Sequence, residues 1–285
     1  MKLVMKKLKG RLTILADNTV AGRVESLGEH GFSVYIETNG GNYLFDTGRG
    51  KTVVHNAVVH RRDLGTLQKI ILSHGHSDHT GGLPEVLRFY DQIEVMGHPD
   101  LFLHRFRKEE GGKEKYGGIP FTRGYLERMG ARFVLNKDFV DIERGLYLTG
   151  EIPRKTDFEL GDMGNRYGVR DGVAVPEIVL DDQSLIIETQ RGILIILGCA
   201  HSGIINIINH SIKMTDIDTI FGIIGGTHLD FSGEVQLEKT IQALKAFHIE
   251  HFIPAHCTGI TASFRLASEF QNVFKFSYVG KTFDF

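Results

Sequence analysis

The chain contains the stretch Ser73-His74-Gly75-His76-Ser77-Asp78-His79-Thr80-Gly81-Gly82, which directly follows the apolar, strand-like segment 69–72. Four of its side chains are able to bind a metal. In an extended segment, residues two apart point to the same side, so His74 and His76 can converge on one ion. Asp78 and His79 lie near the start of a predicted helix and can reach a second ion. Imidazole and carboxylate ligands suit zinc, iron or manganese. We therefore interpret the stretch as a metal site at the end of a buried strand.

The bulk composition is that of an ordinary globular protein, with 285 residues, 41% hydrophobic residues and a formal net charge of -2. Such a chain can bury a sizeable core, and its charge gives no general attraction to nucleic acid. No stretch approaches the roughly 18 to 20 apolar residues of a membrane span, and the basic segment 1–11 lacks the apolar core of a signal peptide. We therefore expect a cytoplasmic protein with no membrane or nucleic-acid partner, so that its partner would be a small substrate.

The two cysteines, Cys199 and Cys257, both lie beside histidines. Cys199 precedes His201 by two residues, and Cys257 directly follows His256. Two thiols cannot form a disulfide framework or hold a four-cysteine iron–sulfur cluster within one chain. We expect both to be small buried residues at strand ends rather than metal ligands or redox sensors, because the histidines already supply enough donors.

The order of the predicted elements describes two halves built on the same plan, each with strands first and alternating helices and strands after. The second half closes with a predicted strand over 274–278. Two sheets packed face to face with helices outside would place the candidate ligands at one edge. We predict one domain over residues 1–285. We also predict irregular insertions near 101–130 and 152–177, of which at least one should cover the site.

Three further histidines follow strongly apolar, strand-like segments. They are His201 in Gly198-Cys199-Ala200-His201-Ser202-Gly203, His228 in Gly225-Gly226-Thr227-His228-Leu229, and His256 in Ala255-His256-Cys257-Thr258-Gly259. A single histidine after a strand is more often structural than catalytic. Three of them, together with the first motif, favour one shared site.

The motif His-x-His-x-Asp-His resembles the metallo-β-lactamase superfamily, together with Leu44-Phe45-Asp46-Thr47-Gly48 upstream and the histidines at 201 and 256 downstream. The resemblance covers nearly the whole chain and implies an α/β fold, a four-layer αββα sandwich with a one- or two-metal site at the sheet edge. We expect two divalent ions, with zinc in first place and iron or manganese as alternatives. Asp46 would orient the ligand loop without binding metal itself. The implied ligand sets are His74, His76 and His201 for the first metal, and Asp78, His79 and His256 for the second.

One interval departs from the superfamily pattern. Many hydrolases of the superfamily have a bridging aspartate where this chain has Gly225-Gly226-Thr227-His228-Leu229-Asp230. His228 occupies the expected place, and Asp230 is the alternative ligand. Two divalent ions with Asp78 and one hydroxide would keep a charge of about +2, so the site should favour an anionic group such as phosphate. We expect His228 to donate to a phosphate oxygen rather than to bind metal.

The Gly-Gly-x-His-Leu pattern and Glu29-His30-Gly31-Phe32-Ser33 resemble the branch that contains the archaeal dihydropterin-methyl ribofuranosylaminobenzene phosphate synthase. Two activities fit the implied site. In the favoured one, a metal-activated hydroxide oriented by Asp78 attacks a phosphorylated small molecule. In the alternative, an arylamine phosphate displaces pyrophosphate from a pterin. A di-iron redox protein is disfavoured because such sites favour a carboxylate where this chain has His76. A non-enzymatic metal sensor would need a blocked coordination position, which no sequence feature indicates.

Overall fold

The computed structural model describes residues 7–22, 25–161 and 165–285. The strands within these residues are β1 (Gly10–Ala16), β2 (Ser33–Thr38), β3 (Asn42–Phe45), β4 (Leu67–Ile71), β5 (Ile93–Gly97), β6 (His104–Lys108), β7 (Glu114–Tyr116), β8 (Ala131–Leu135), β9 (Val140–Glu143), β10 (Leu146–Leu148), β11 (Arg166–Arg170), β12 (Val173–Pro176), β13 (Ser184–Thr189), β14 (Gly192–Leu197), β15 (Ile220–Gly226), β16 (Phe252–Ala255) and β17 (Thr282–Asp284). The α-helices of the same residues are α1 (Val53–Val59), α2 (Ser77–Thr80), α3 (Leu83–Leu87), α4 (Arg123–Arg128), α5 (Ile204–Thr215), α6 (Glu234–Leu244) and α7 (Ile260–Glu269).

The first sheet has seven strands among the described residues, in the order β17-β1-β2-β3-β4-β5-β8. β1 to β3 form an antiparallel meander, whereas β3, β4, β5 and β8 run parallel. Parallel strands end at one common edge, which is where open α/β sheets place ligands. Asp46 follows β3 at this edge, and Ser73 and His74 follow β4.

The second sheet has six strands, counted over the same described residues, in the order β16-β15-β14-β13-β10-β9. β13 and β14 are buried on both faces, as the unbroken apolar sequence of β14 predicts for that strand. β14, β15 and β16 run parallel. The loops that follow these three strands carry His201, His228 and His256 in turn, so the three histidines meet at one sheet edge.

The two sheets pack face to face, and helices cover their outer faces. A central core joins Ile14 and Phe45 of the first sheet to Leu185 and Ile196 of the second. Helices α1, α3 and α4 pack on the outer face of the first sheet. Helices α5, α6 and α7 pack on the outer face of the second. The predicted four-layer αββα sandwich is therefore confirmed.

The two segments predicted to be irregular contain paired strands, which corrects that prediction. Within the described residues, β6, β7, β11 and β12 form a four-stranded antiparallel sheet in the order β12-β11-β6-β7, termed here the insertion sheet. Charged residues are frequent in β6, β7 and β11, as in His-Arg-Phe-Arg-Lys of β6, and β12 is only four residues long, so no apolar alternation marked these strands in the sequence. Aromatic contacts pack the sheet: the Phe106 ring centroid lies 5.5 Å from that of Tyr167 and 5.4 Å from that of Tyr116.

The predicted strand over 274–278 is wrong. In the described structure Phe274 makes only an isolated bridge to Phe252. Strand β17 pairs with β1 instead and completes the edge of the first sheet.

The longest helix of the described residues, α5, spans 12 residues. None of the helices described is both long and apolar enough to cross a membrane.

Candidate metal centre

Among the described residues, the loops that follow the carboxyl ends of strands in both sheets bring seven imidazole rings together. Neighbouring ring centroids in this group are 4.2 to 5.1 Å apart. The group, termed here the histidine cluster, consists of His30, His74, His76, His79, His201, His228 and His256. Sequence reasoning placed all of these except His30 at the site.

The first predicted ligand set comes together in the structure. One ring nitrogen from each of His74, His76 and His201 lies within 4.8 Å of the others, and all three side chains are buried. His74 and His76 enter on the loop after β4, whereas His201 enters from the second sheet on the loop after β14. Both sheets must therefore be folded for the three rings to meet.

The nitrogens of His74 and His76 that face each other both carry lone pairs, as assigned from their hydrogen-bond partners. The Ser73 hydroxyl donates its proton to Asp46 at 2.7 Å, so it accepts a hydrogen bond from His74 Nδ1 at 2.8 Å. His76 Nε2 donates to a carboxylate oxygen of Glu177 at 2.8 Å. The remaining nitrogens, His74 Nε2 and His76 Nδ1, are 2.9 Å apart. Two lone pairs that face each other at this distance repel, and a bound cation removes that repulsion, so the donor set fits a metal ion.

A buried aspartate holds His79. Asp46 Oδ2 accepts a hydrogen bond from His79 Nδ1 at 2.6 Å, and Asp46 Oδ1 accepts one from the backbone N–H of Ser73 at 2.7 Å. His79 Nε2 consequently points into the cluster, where it lies 3.0 Å from Cys199 Sγ. Asp46 thus lies where the sequence predicted a residue that orients the ligand loop.

His256 is held by the loop after β1. Its Nδ1 lies 2.8 Å from Asn18 Oδ1, and its backbone N–H donates to Asp17 at 3.1 Å. Its Nε2 faces Asp78 Oδ2 at 3.3 Å, and His30 Nε2 approaches the same oxygen at 3.1 Å. Burial opposes ionisation of Asp78, but the neighbouring rings of His256 and His30 outweigh it and hold the pKa of Asp78 well below its ordinary value.

The second predicted ligand set is divided between two neighbouring groups of ligand atoms. Asp78 and His256 lie in one group with His30, whereas His79 lies in the neighbouring group with His74 and Cys199. The rings of His79 and His256 have their centroids 5.1 Å apart. The structure therefore brings all three predicted residues to the cluster and adds His30 and Cys199 as candidates beside them.

Both cysteines are buried, as predicted, but their contacts go beyond packing. Cys199 lies beside His79, and Cys257 Sγ accepts a hydrogen bond from the backbone N–H of His228 at 3.3 Å. Each thiol belongs to a group of atoms that could hold a metal. Burial raises the pKa of the Cys199 thiol, which therefore stays protonated at neutral pH when no metal is bound.

His228 lies in the cluster, and Asp230 does not. The His228 ring centroid is 4.2 Å from the nearest neighbouring ring of the cluster, whereas Asp230 is exposed and its carboxylate lies against Gly259. The backbone of His228 is left-handed, with φ of 56°, as are those of Asp46 at 58° and His256 at 49°. Such strained conformations of non-glycine residues concentrate at functional sites.

A buried ion network links the cluster to the insertion sheet. Glu177 Oε1 lies 2.8 Å from His76 Nε2 and 3.0 Å from Arg105 Nε. Arg105, which comes from β6, is 1% exposed and also pairs with Asp181, whose other oxygen accepts the backbone N–H of Gly75 at 2.7 Å. Sequence reasoning missed this network because its members are far apart in the chain and show no common spacing.

Local charges set different protonation states within the cluster. Burial lowers the pKa values of His74 and His76 well below the ordinary value, and neighbouring positive groups add to the effect. Burial also disfavours the charged form of His79, but Asp46 outweighs it and raises the pKa of His79 to about 9. At neutral pH and without metal, His74 and His76 are therefore neutral and His79 is charged.

Two cavities border the cluster. The first, of about 340 Å³, contains His76 and Asp78 in its wall, and the second, of about 610 Å³, shares His201, His228 and Phe231 with it. The first cavity is also lined by the cationic side chains Arg49, Arg105, Arg107, Lys115 and Arg166. A small anionic molecule can therefore approach the candidate metal ligands.

Comparisons with known proteins agree with this geometry. Residues 27–208 match the family model of the metallo-β-lactamase superfamily. The chain is 31% identical over 265 residues, 90% of each chain, to the 7,8-dihydropterin-6-methyl-4-(β-D-ribofuranosyl)-aminobenzene-5′-phosphate synthase of Methanocaldococcus jannaschii. The crystal structure of Tm1679, a metal-dependent hydrolase of the β-lactamase superfamily, matches with a TM-score of 0.82 at 26% identity, over 96% of this chain and 98% of that one. Zn²⁺-bound PqqB from Methylobacterium extorquens shares the fold, with a TM-score of 0.56 at 14% identity over 96% of this chain and all of its own.

Proposed function

The chain belongs to the metallo-β-lactamase superfamily, and from this premise we propose that it is a metal-dependent phosphoester hydrolase of a small phosphorylated molecule. The fold and the relative named as a synthase make the chain an enzyme; the reaction and the substrate are the proposal. The observation that carries it is the pair of facing lone pairs on His74 and His76 beside a cation-rich cavity.

We propose two divalent ions, zinc in first place, with iron or manganese as alternatives. Members of the superfamily bind divalent metals, and the histidine cluster has the groups to hold them. Bound divalent ions supply Lewis acidity and lower the pKa of a bound water to about 7. The proposed ligands are His74, His76 and His201 for the first ion and Asp78, His79 and His256 for the second, with His30 and Cys199 beside the latter set.

Two side chains in the cavity wall have proposed roles in the reaction. Asp78 is 16% exposed and stays ionised beside His256 and His30, so its carboxylate can orient the attacking water. His228 lies in the wall that both cavities share, where its imidazole N–H can donate to a phosphate oxygen. The cationic side chains attract the negatively charged substrate.

A second candidate function is a condensation in which an arylamine phosphate displaces pyrophosphate from a pterin. The 31% identity with the synthase of M. jannaschii, over 90% of both chains, favours it. The cavity of about 610 Å³ beside the cluster supplies room for a second reactant. The two candidates use one site and differ in the nucleophile.

Turnover of bis(p-nitrophenyl) phosphate by the zinc-loaded protein tests the hydrolase proposal. We expect turnover in the wild type and its loss in His76→Ala, whereas His248→Ala, an exposed histidine outside the cluster, should keep it. Full turnover in His76→Ala would contradict the site. A wild type without hydrolysis that joins a pterin pyrophosphate to an arylamine phosphate would replace the hydrolase with the synthase.

A further inference from the structure

Three cationic side chains form one row across the insertion sheet. Lys115 on β7 lies directly opposite Arg107 on β6, and Arg107 lies directly opposite Arg166 on β11. Directly opposite residues of antiparallel strands place their side chains on the same face of the sheet. Like charges directly opposite each other repel and destabilise a sheet. An anion bound against the row would reduce this repulsion.

The row faces the candidate metal centre. All three side chains line the cavity of about 340 Å³ that also contains His76 and His201. Arg107 and Arg166 line the second cavity, of about 610 Å³, as well. The row therefore lies beside the histidine cluster, and its two arginines belong to the wall that the two cavities share.

Two acidic residues, Glu109 and Glu177, lie close to the row. Arg107 pairs with Glu109 at 2.9 Å, but these side chains are 44% and 39% exposed, so water screens the pair. Glu177 is next to the Arg166 end of the row, and its Oε1 contacts His76 and Arg105. An incoming phosphate can thus compete for the cations of the row.

We propose that Lys115, Arg107 and Arg166 bind a phosphate group of the substrate that does not react, and so hold the reacting group over the histidine cluster. Arginine suits this role because its planar fork matches phosphate oxygens in pairs. The remainder of the substrate extends into the second cavity. The substrate is therefore a molecule with a second anionic group, such as a diphosphate or a bisphosphorylated compound. The placement of the reacting group rests on the proposed function, whereas the anion site requires only the three cations.

Calorimetric titration of inorganic pyrophosphate into the full-length protein as purified tests this site. Arg166→Gln and Lys115→Gln should each weaken pyrophosphate binding about tenfold, since each removes a charge-assisted contact. Lys213→Gln removes one charge from the exposed side of α5 and should leave binding unchanged. Metal content is measured for each variant, and it should equal that of the wild type. Lys115 is exposed on a short strand, so its replacement tests the row even where Arg166→Gln disturbs the sheet.

Equal pyrophosphate affinity in the wild type and in both row variants would overturn the proposal, as would a wild type that binds no pyrophosphate. These outcomes are separable from failure of the proposed function. Tight, row-dependent pyrophosphate binding without phosphoester turnover contradicts only the hydrolase. Turnover of bis(p-nitrophenyl) phosphate without row-dependent binding contradicts only the anion site.

Discussion

The Asp46 carboxylate accepts a hydrogen bond from His79 Nδ1 at 2.6 Å, with both side chains completely buried. The same arrangement recurs around the histidine cluster. A polar group outside the cluster contacts one nitrogen of a ring at hydrogen-bonding distance, and this contact directs the other nitrogen into the cluster. The pairs are His79 with Asp46, His74 with Ser73, His76 with Glu177, and His256 with Asn18. Metal-binding histidines generally have such partners, which set the tautomer and orientation of the ring.

Asp46→Asn should weaken metal binding by about 10- to 100-fold, because it removes the charge that orients His79. Competition with a metal-sensitive dye measures the affinity. Asp284→Asn is the control, since Asp284 forms an exposed ion pair with Arg11 far from the cluster. Unchanged affinity in Asp46→Asn would show that Asp46 has no part in metal binding.

Metal binding at pH 7 should release about one proton from His79. Its pKa is raised to about 9, so it is charged at pH 7 and must lose a proton to bind metal. His74 and His76 release none, since their lowered pKa values leave them neutral. Calorimetry in buffers of different ionisation enthalpy counts the protons. The absence of proton release would contradict the charged state of His79.

The ion pair between His79 and Asp46 makes the stability of the metal-free protein depend on pH. Because the pKa of His79 rises from 6.5 in the unfolded chain to about 9, its contribution is complete below pH 6.5 and is lost as the pH rises through about 9. Urea unfolding of metal-free protein from pH 6 to pH 9.5 should show this loss, and Asp46→Asn should flatten it. A wild-type free energy of unfolding that rises over this pH range would contradict the raised pKa of His79.

Arg105→Ala should lower the free energy of unfolding by about 3–5 kcal/mol, because it leaves Glu177 and Asp181 buried without their cation. Arg123→Ala, which breaks an exposed pair with Glu127, should cost about 0.5 kcal/mol or less. Urea denaturation compares the two. Similar losses would mean that the buried network does not stabilise the insertion sheet.

Gly226→Ala should weaken metal binding and lower stability by about 1–3 kcal/mol. A Cβ at this position would lie 2.5 Å from the carbonyl oxygen of Gly198 and 2.6 Å from Cys257 Sγ, so the loops after β14 and β16 must move. Gly124→Ala is the matched control, since a Cβ there meets no atom within 4 Å. Wild-type metal affinity in Gly226→Ala would show that these loops tolerate displacement.

The order of the predicted elements indicated two sheets packed face to face, the family resemblance implied the four-layer sandwich, and local spacing indicated most of the cluster. His74 and His76 follow a buried strand two residues apart, and His201, His228 and His256 each follow another, so the carboxyl edges of the sheets determine where they meet. That these residues bind metal stays a prediction.

The partners of the rings were not predictable in this way. Asn18 contacts the ring of His256, 238 residues away in sequence, and Glu177 contacts the ring of His76, 101 residues away. Single polar residues in loops show no periodicity, and only the folded sheets bring them to the histidines. The insertion sheet was not predicted for a related reason. Aromatic stacking and buried ion pairs hold its strands in place, and such contacts leave no alternation of apolar residues in the sequence.

Counting the metal ions bound per chain decides whether the histidine cluster is a metal centre. The protein is equilibrated with zinc, freed of unbound metal and measured by inductively coupled plasma mass spectrometry, alongside His76→Ala. We expect about two ions in the wild type and about one or fewer in His76→Ala, because that variant loses one of the two facing lone pairs. A wild type that retains no zinc, or a His76→Ala variant that retains as much as the wild type, would contradict the assignment.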